Sequence, residues 1–210
     1  MNEQAVLWQA MTHHRFLLGM ADTSITAEQF GRWLQQDYLY VEGLINYIGQ
    51  LIAKAPPHLY ALLGGAVGAF GVELELFRQQ ARKLSIDLKP VDHAPACFNY
   101  LRFLEATGYS KQFFSMLVVL WTVEKAYYAS WLLVRESCGD LEQSPWKHFI
   151  NQWSSPQFGA WIDSLAEAID ALAESTDRAE LQEASKLCGY TIRYEWLFWE
   201  LAFEPQEWPI

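Results

Sequence analysis

Basic side chains are scarce in this chain: 15 Lys and Arg stand against 25 Asp and Glu, a formal net charge of −10. A nucleic-acid backbone is repelled by such a field, and no dense basic tract offsets it, so no nucleic-acid partner is expected. Cysteine is equally sparse. Cys97, Cys138 and Cys188 are odd in number, scattered and without CxxC spacing. They suit a reducing compartment better than a disulfide framework, and each is read as an inert, buried or half-buried side chain. Alternating strand patterns are nearly absent, and there is no repeat or low-complexity segment. The start, MNEQAVLWQAM, lacks the basic stretch and apolar core of a secretory signal. The greasiest run, FFSMLVVLWTV, meets Glu124 and Lys125 before it reaches bilayer-spanning length. The expectation is a soluble, cytoplasmic protein with no membrane partner.

Aromatic residues and helical periodicity are what the chain has in surplus. Ten Trp, 10 Tyr and 12 Phe contribute to a composition that is 51% hydrophobic. At 210 residues this suffices for one domain, 1–210, with a substantial core. Apolar spacing predicts helices over 3–20, 26–54, 58–84, 95–107, 110–137, 144–153, 156–174 and 177–203. Thr26 and Gln29 form a capping-box pair before the second of these, and Pro56-Pro57 stops it. IDLKPVDHAP, the longest polar connector, joins two halves of a bundle. In GGAVGAFG, Gly64, Gly68 and Gly71 share one helical face, and with no preceding strand they read as close helix packing rather than a phosphate loop. His13-His14 reads as a surface or cap pair, and AEAIDALAESTDRAELQEA as a solvated face near a helix turn.

Four acids break the pattern. Asp37, in WLQQDYLYVEGL, falls four residues after Trp33 and three before Tyr40, on the face that Val41 and Leu44 continue. Glu73 lies three after Phe70 and four before Phe77. Glu124 follows Leu120 by four and precedes Tyr127 and Tyr128, while Glu195 follows Thr191 and Ile192 and precedes Phe198 and Trp199. Any one of them alone reads as a salt-bridged rim residue. Together, in a chain so poor in cations, several must go without a basic partner, and a desolvated carboxylate costs several kcal/mol when unpartnered. A di-iron carboxylate bundle needs Glu-x-x-His motifs. None of His13, His14, His58, His93 or His148 has an acid three residues before it, so no metal ligand set is expected. The remaining chemistry is a polar or cationic aromatic ligand held by carboxylates between aromatic rings.

FGRWLQQDYLYVEGL, WTVEKAYYASW and YEWLFWELAF, in this order and spacing, resemble the TenA family of thiamin-salvage hydrolases, in particular its TenA_E branch. The resemblance runs from about Phe16 to Phe203. It implies an all-α, single-domain, heme-oxygenase-like bundle without a cofactor, usually a homo-oligomer, that hydrolyses thiamin breakdown products carrying the 4-amino-2-methylpyrimidine ring. By motif, Asp37 would grip the exocyclic amine and adjacent ring nitrogen, Tyr40 would line the reaction centre, and Tyr100 in CFNYLRFL would stack on the ring. Trp153 in NQWSSPQF falls at a pocket tyrosine of the better-studied branch, Glu195 matches an acid–base glutamate, and Glu73 a pocket-side acid. The thiaminase II branch carries a nucleophilic cysteine in a Pro-Cys-x-x-x-Tyr segment. The corresponding LWTVEKAYY puts Trp121 and Thr122 there, which leaves Glu124, beside Tyr127 and Tyr128, as the candidate replacement. That departure favours an aminomethyl- or formamidomethyl-pyrimidine as substrate. A catalytically silent aminopyrimidine-binding or regulatory protein on the same fold stands as the alternative.

Overall fold

In the computed structural model of the chain, which describes residues 3–88 and 92–209, every regular element among the described residues is helical. The elements are α1 (Glu3–Thr12), α2 (Arg15–Ala21), α3 (Ala27–Lys54), α4 (Tyr60–Leu84), α5 (Pro95–Ser110), α6 (Phe113–Ser137), α7 (Lys147–Trp153), α8 (Pro156–Ala173) and α9 (Arg178–Phe203), with short 3-10 turns at Pro57–Leu59 and Leu141–Gln143. The Thr26–Gln29 capping box forms in both directions, at 2.9 and 3.1 Å. The middle of the polar connector, residues 89–91, lies outside the described residues. Its far side is tied to α3 by Gln36, which donates to the Asp92 carbonyl at 3.0 Å and accepts the Ala94 amide at 2.8 Å.

Two expectations fail for stated reasons. The helix predicted over 3–20 is two helices, because His14 takes extended backbone and its ring nitrogen accepts the Phe16 amide to cap α2. Its other nitrogen contacts Glu200 on α9 at 2.9 Å, and at 4% exposure it is a cap but no surface residue. The glycines of α4 do not pack closely either. A Cβ added at Gly64, Gly65, Gly68 or Gly71 meets nothing within 4 Å, so that face of α4 lies open.

One core unites the bundle. α6 packs against α9, α8, α7 and α2, α3 is flanked by α4, α5 and α9, and α4 leans mainly on α3. Arg32 fastens α3 to the end of α9 by donating to the carbonyls of Leu201 (3.0 Å) and Phe203 (2.9 Å), which the helix itself cannot satisfy. Tyr47 fastens α3 to α6 through the Met116 carbonyl at 2.9 Å. Between these ties sits a cluster of fully buried rings, Trp33, Phe77, Trp131, Phe149 and Trp153, in edge and stacked contacts 5.1–6.2 Å apart. Each ring contributes roughly 1.5–3 kcal/mol through burial. The cluster forms a rigid floor for the acids above it.

His14 joins a helix cap to a tertiary contact, so His14→Ala is expected to cost about 1–2 kcal/mol, as other lost N-caps do. Urea unfolding measures this, and an unchanged midpoint would show that the break between α1 and α2 has another cause.

Candidate active site

The helices α3, α4, α6 and α9 each present one carboxylate inward. Asp37 (2% exposed), Glu124 (3%), Glu195 (3%) and Glu73 (9%) are all buried. Asp37, Glu73 and Glu124 line a small cavity of about 20 Å³ together with Tyr40, Tyr127, Trp153, Phe70, Val41, Leu44 and Val123. Glu195 stands one layer behind. It accepts the Tyr100 hydroxyl at 2.5 Å, and the Tyr100 ring lies 4.9 Å from that of Tyr40, which lines the cavity. Asp37 accepts the Tyr127 hydroxyl at 2.5 Å, and Trp153, edge-on to Tyr127 at 5.3 Å, is the hydrogen-bonding neighbour of Glu73.

No Lys, Arg or His moderates these acids. None of them takes part in the ion pairs formed among the described residues. Desolvation raises every carboxyl pKa: Asp37 to about 7 despite the Tyr127 hydrogen bond, Glu73 to about 8 with added repulsion from Asp37, and Glu195 to about 8 despite the Tyr100 bond. Glu124 goes well above the carboxylate range, through desolvation and then repulsion from Glu73, Glu195 and Asp37. Burial lifts the hydroxyls of Tyr40, Tyr100 and Tyr127 as well, so they remain protonated donors. Within the site, Glu124 Oε1 has no hydrogen-bond partner, and the Tyr40 hydroxyl has only the neighbouring Tyr100 hydroxyl to pair with. A buried acceptor left unsatisfied on an acid-lined wall marks Glu124 as a candidate functional group. No group of three or more His, Cys, Asp or Glu among the described residues is placed to hold a metal ion.

All eight residues singled out in the sequence thus lie in or directly behind one site. Tyr100 differs in detail. Its ring stacks on Tyr194 at 5.1 Å and is not part of the cavity wall, so in this structure its contribution is the bond to Glu195. Thr122 differs more. Its hydroxyl donates to the Val118 carbonyl within α6 and it is absent from the wall, whereas Val123 and Glu124 form that wall. Phe70, Val41 and Leu44 were legible in the sequence only as apolar neighbours of Glu73 and Asp37, and Val123 was not singled out; together these four apolar side chains close the cavity.

Residues 2–204 match the TENA/THI-4/PQQC family. The chain belongs to that family. It is 23% identical over 209 residues to a protein of Glycine max named probable bifunctional TENA-E protein, covering 96% of this chain and 90% of that one. It is 22% identical over 210 residues to an aminopyrimidine aminohydrolase of Halalkalibacterium halodurans, covering 96% and 92%. Among solved structures, a TenA homologue from Pyrococcus furiosus superposes with a TM-score of 0.92 at 30% identity, covering 96% of each chain.

A carboxyl pKa raised by folding means that the folded protein keeps protons which the unfolded chain, titrating near pH 4, has released. Stability contributed in this way is full below about pH 4 and is lost as pH rises towards the folded values of about 7 and 8. His14, whose pKa burial lowers, acts in the opposite sense but only below its ordinary value of 6.5. The ligand-free protein is therefore expected to show a melting temperature that declines from about pH 6.5 to 8.5, with a shallower decline in Glu195→Gln and Asp37→Asn. Thermal unfolding across that range provides the check, and a parent profile that is flat or rises would contradict unpaired burial of these acids.

Proposed function

We propose that this protein is an aminopyrimidine hydrolase of thiamin salvage, cleaving an aminomethyl- or formamidomethyl-pyrimidine by carboxylate chemistry. The observation that carries the reading is the set of four buried acids without a counter-cation among the described residues, with Glu124 Oε1 unsatisfied. A 4-aminopyrimidine supplies what is missing: an exocyclic amine that donates, ring nitrogens that accept a proton, and a flat face for Tyr40, Tyr127 and Trp153. Asp37, ionised beside such a ligand, grips the amine and adjacent ring nitrogen, and the Tyr127 bond fixes its orientation.

Each acid then has a distinct task. Glu195, protonated at neutral pH because its pKa is about 8, gives its proton to the departing amine. Tyr100 keeps its carboxyl in one orientation. Glu124 takes over the task of the absent nucleophile by holding the attacking water; a protonated ring beside it favours its ionised form against the raised pKa, and in that form it accepts the water's proton as the C–N bond breaks and the C–O bond forms. Glu73 lies at the ring's far edge with Trp153. No thiol enters this scheme: Cys97 is fully buried against the Gln36 carbonyl, and burial pushes the Cys188 thiol up.

Composition and surface support a reading of location and assembly. Three free cysteines fit a reducing cytoplasm, and the charge of −10 fits neither a nucleic-acid nor an anionic membrane partner. The segment Pro57–Leu84 contains an apolar stretch of 18 residues, of which only 28% is buried in the single chain. An exposed stripe of that kind favours a homo-oligomer built around α4.

Asp37→Asn is expected to weaken aminopyrimidine binding by about 2–3 kcal/mol, because an amide donor then faces the ligand amine. Glu195→Gln is expected to lower kcat by roughly 10²–10⁴-fold with little change in affinity. Steady-state release of the hydroxymethyl-pyrimidine, with calorimetric binding alongside, separates these roles. A folded Glu195→Gln that turns over at the parent rate sinks the mechanism. Turnover is also expected to survive iodoacetamide and EDTA, and complete alkylation-dependent loss would point to a thiol nucleophile.

A further inference from the structure

The acid-lined cavity, at about 20 Å³, has room for a water molecule but not for a pyrimidine. Beside it lies a solvent-open groove of about 670 Å³ between the first half of α4, the end of α7 and the start of α8. The two spaces share three wall residues, Phe70, Glu73 and Trp153. Phe70 and Glu73, exposed by 6% and 9%, are thus the partition through which the groove reaches the site. The far wall is aromatic, with Phe158 stacked on Trp161 at 6.1 Å and Phe70 edge-on to Trp161 at 6.4 Å. The indole N–H of Trp161 is buried with no acceptor. Among the residues that line the groove, Glu73 alone is ionisable, so nothing there would hold a phosphate or carboxylate.

The acids have an order. Asp37 bears electrostatically on both Glu73 and Glu195, whereas neither of those two figures in the other's environment, and Glu73 lines both the cavity and the groove while Glu195 lines neither. A ring gripped at its amine by Asp37, with the reacting methylene towards Glu195, therefore directs the opposite ring carbon, position 2, at Glu73 and Phe70. We propose that the groove is a second subsite, which takes an uncharged alkyl, alkoxy or aryl group at position 2 of the pyrimidine, and that Phe70 sets how large a group is admitted. This rests on the aminopyrimidine reading above. The ligand class is a 4-aminopyrimidine with a 2-substituent larger than methyl. Its ring displaces Phe70 into the groove, and the substituent lies against Phe158 and Trp161. An ether oxygen on that substituent would satisfy the Trp161 N–H.

The test compares 5-aminomethyl-4-aminopyrimidines carrying 2-methyl or 2-phenyl, by calorimetric Kd and by turnover. The parent is expected to bind the 2-phenyl compound at least as tightly as the 2-methyl. Gly65→Phe fills the groove from a position where an added Cβ meets nothing within 4 Å, and is expected to weaken 2-phenyl binding about tenfold or more while leaving 2-methyl nearly unchanged. Gln157→Trp, from the α8 side, is expected to act in the same direction, and Phe70→Ala to raise kcat/KM for 2-phenyl relative to 2-methyl. Rejection of 2-phenyl by a parent that binds and hydrolyses 2-methyl overturns the subsite alone, as does equal weakening of both ligands by Gly65→Phe. The binding pattern as described, with no turnover of either compound, supports the subsite and refutes the hydrolase reading instead.

Discussion

Desolvation of four carboxyl groups with no basic side chain among them is the constraint on which the rest of this structure depends. Each ionised acid in such a place costs several kcal/mol, and the chain relieves that cost in two ways. Protonation is one, as the raised pKa values of Asp37, Glu73 and Glu195 record. Hydrogen bonds from tyrosines are the other, and they reach only Asp37 and Glu195. Glu124 keeps an oxygen unsatisfied. The cost that remains is a strain held in the fold, and a cationic, donor-rich ring is the ligand chemistry that relieves it.

Holding that strain requires a scaffold that does not yield. The ring cluster around Trp33, Trp131 and Trp153 is close-packed, and Trp153 carries it into the wall of the acid-lined cavity. The Arg32 ties to the end of α9 hold α3 against the helix that bears Glu195. α4 is held less. It leans mainly on α3 and carries Phe70 and Glu73 on a helix whose outer glycines touch nothing, so the wall facing the groove is the one free to move. Rigidity on three sides and freedom on the fourth suit a site that must be closed for chemistry and opened for entry.

The missing cysteine shifts the burden of the reaction. A thiolate would form a covalent intermediate, whereas Val123 and Glu124 offer an apolar wall and a high-pKa carboxyl. In the proposed hydrolysis two acids act on a bound water and a leaving amine, and no nucleophile from the protein is needed. The family scaffold itself is retained, as the superposition with the Pyrococcus furiosus homologue shows.

Helix content, the caps at Thr26 and Gln29, and the choice of Asp37, Glu73, Glu124 and Glu195 were all legible from spacing. Local periodicity states which side chains leave water, and an acid on an apolar face stands out against it. The break at His14 was not legible, because an interior histidine becomes a cap only when Glu200, 186 residues away, takes its other nitrogen. The open glycine face of α4 was equally hidden, since a Gly-rich stripe reads the same whether or not a neighbour fills it. Which acids share a wall, the place of Glu195 outside that wall, and the side of α6 that Val123 presents depend on how α3, α4, α6 and α9 rotate against one another. Sequence alone determined that these carboxyls would be desolvated. Only the tertiary structure decided that they would be desolvated together, around one cavity with no cation near, because the distances between helices are set by packing and not by spacing along any one of them.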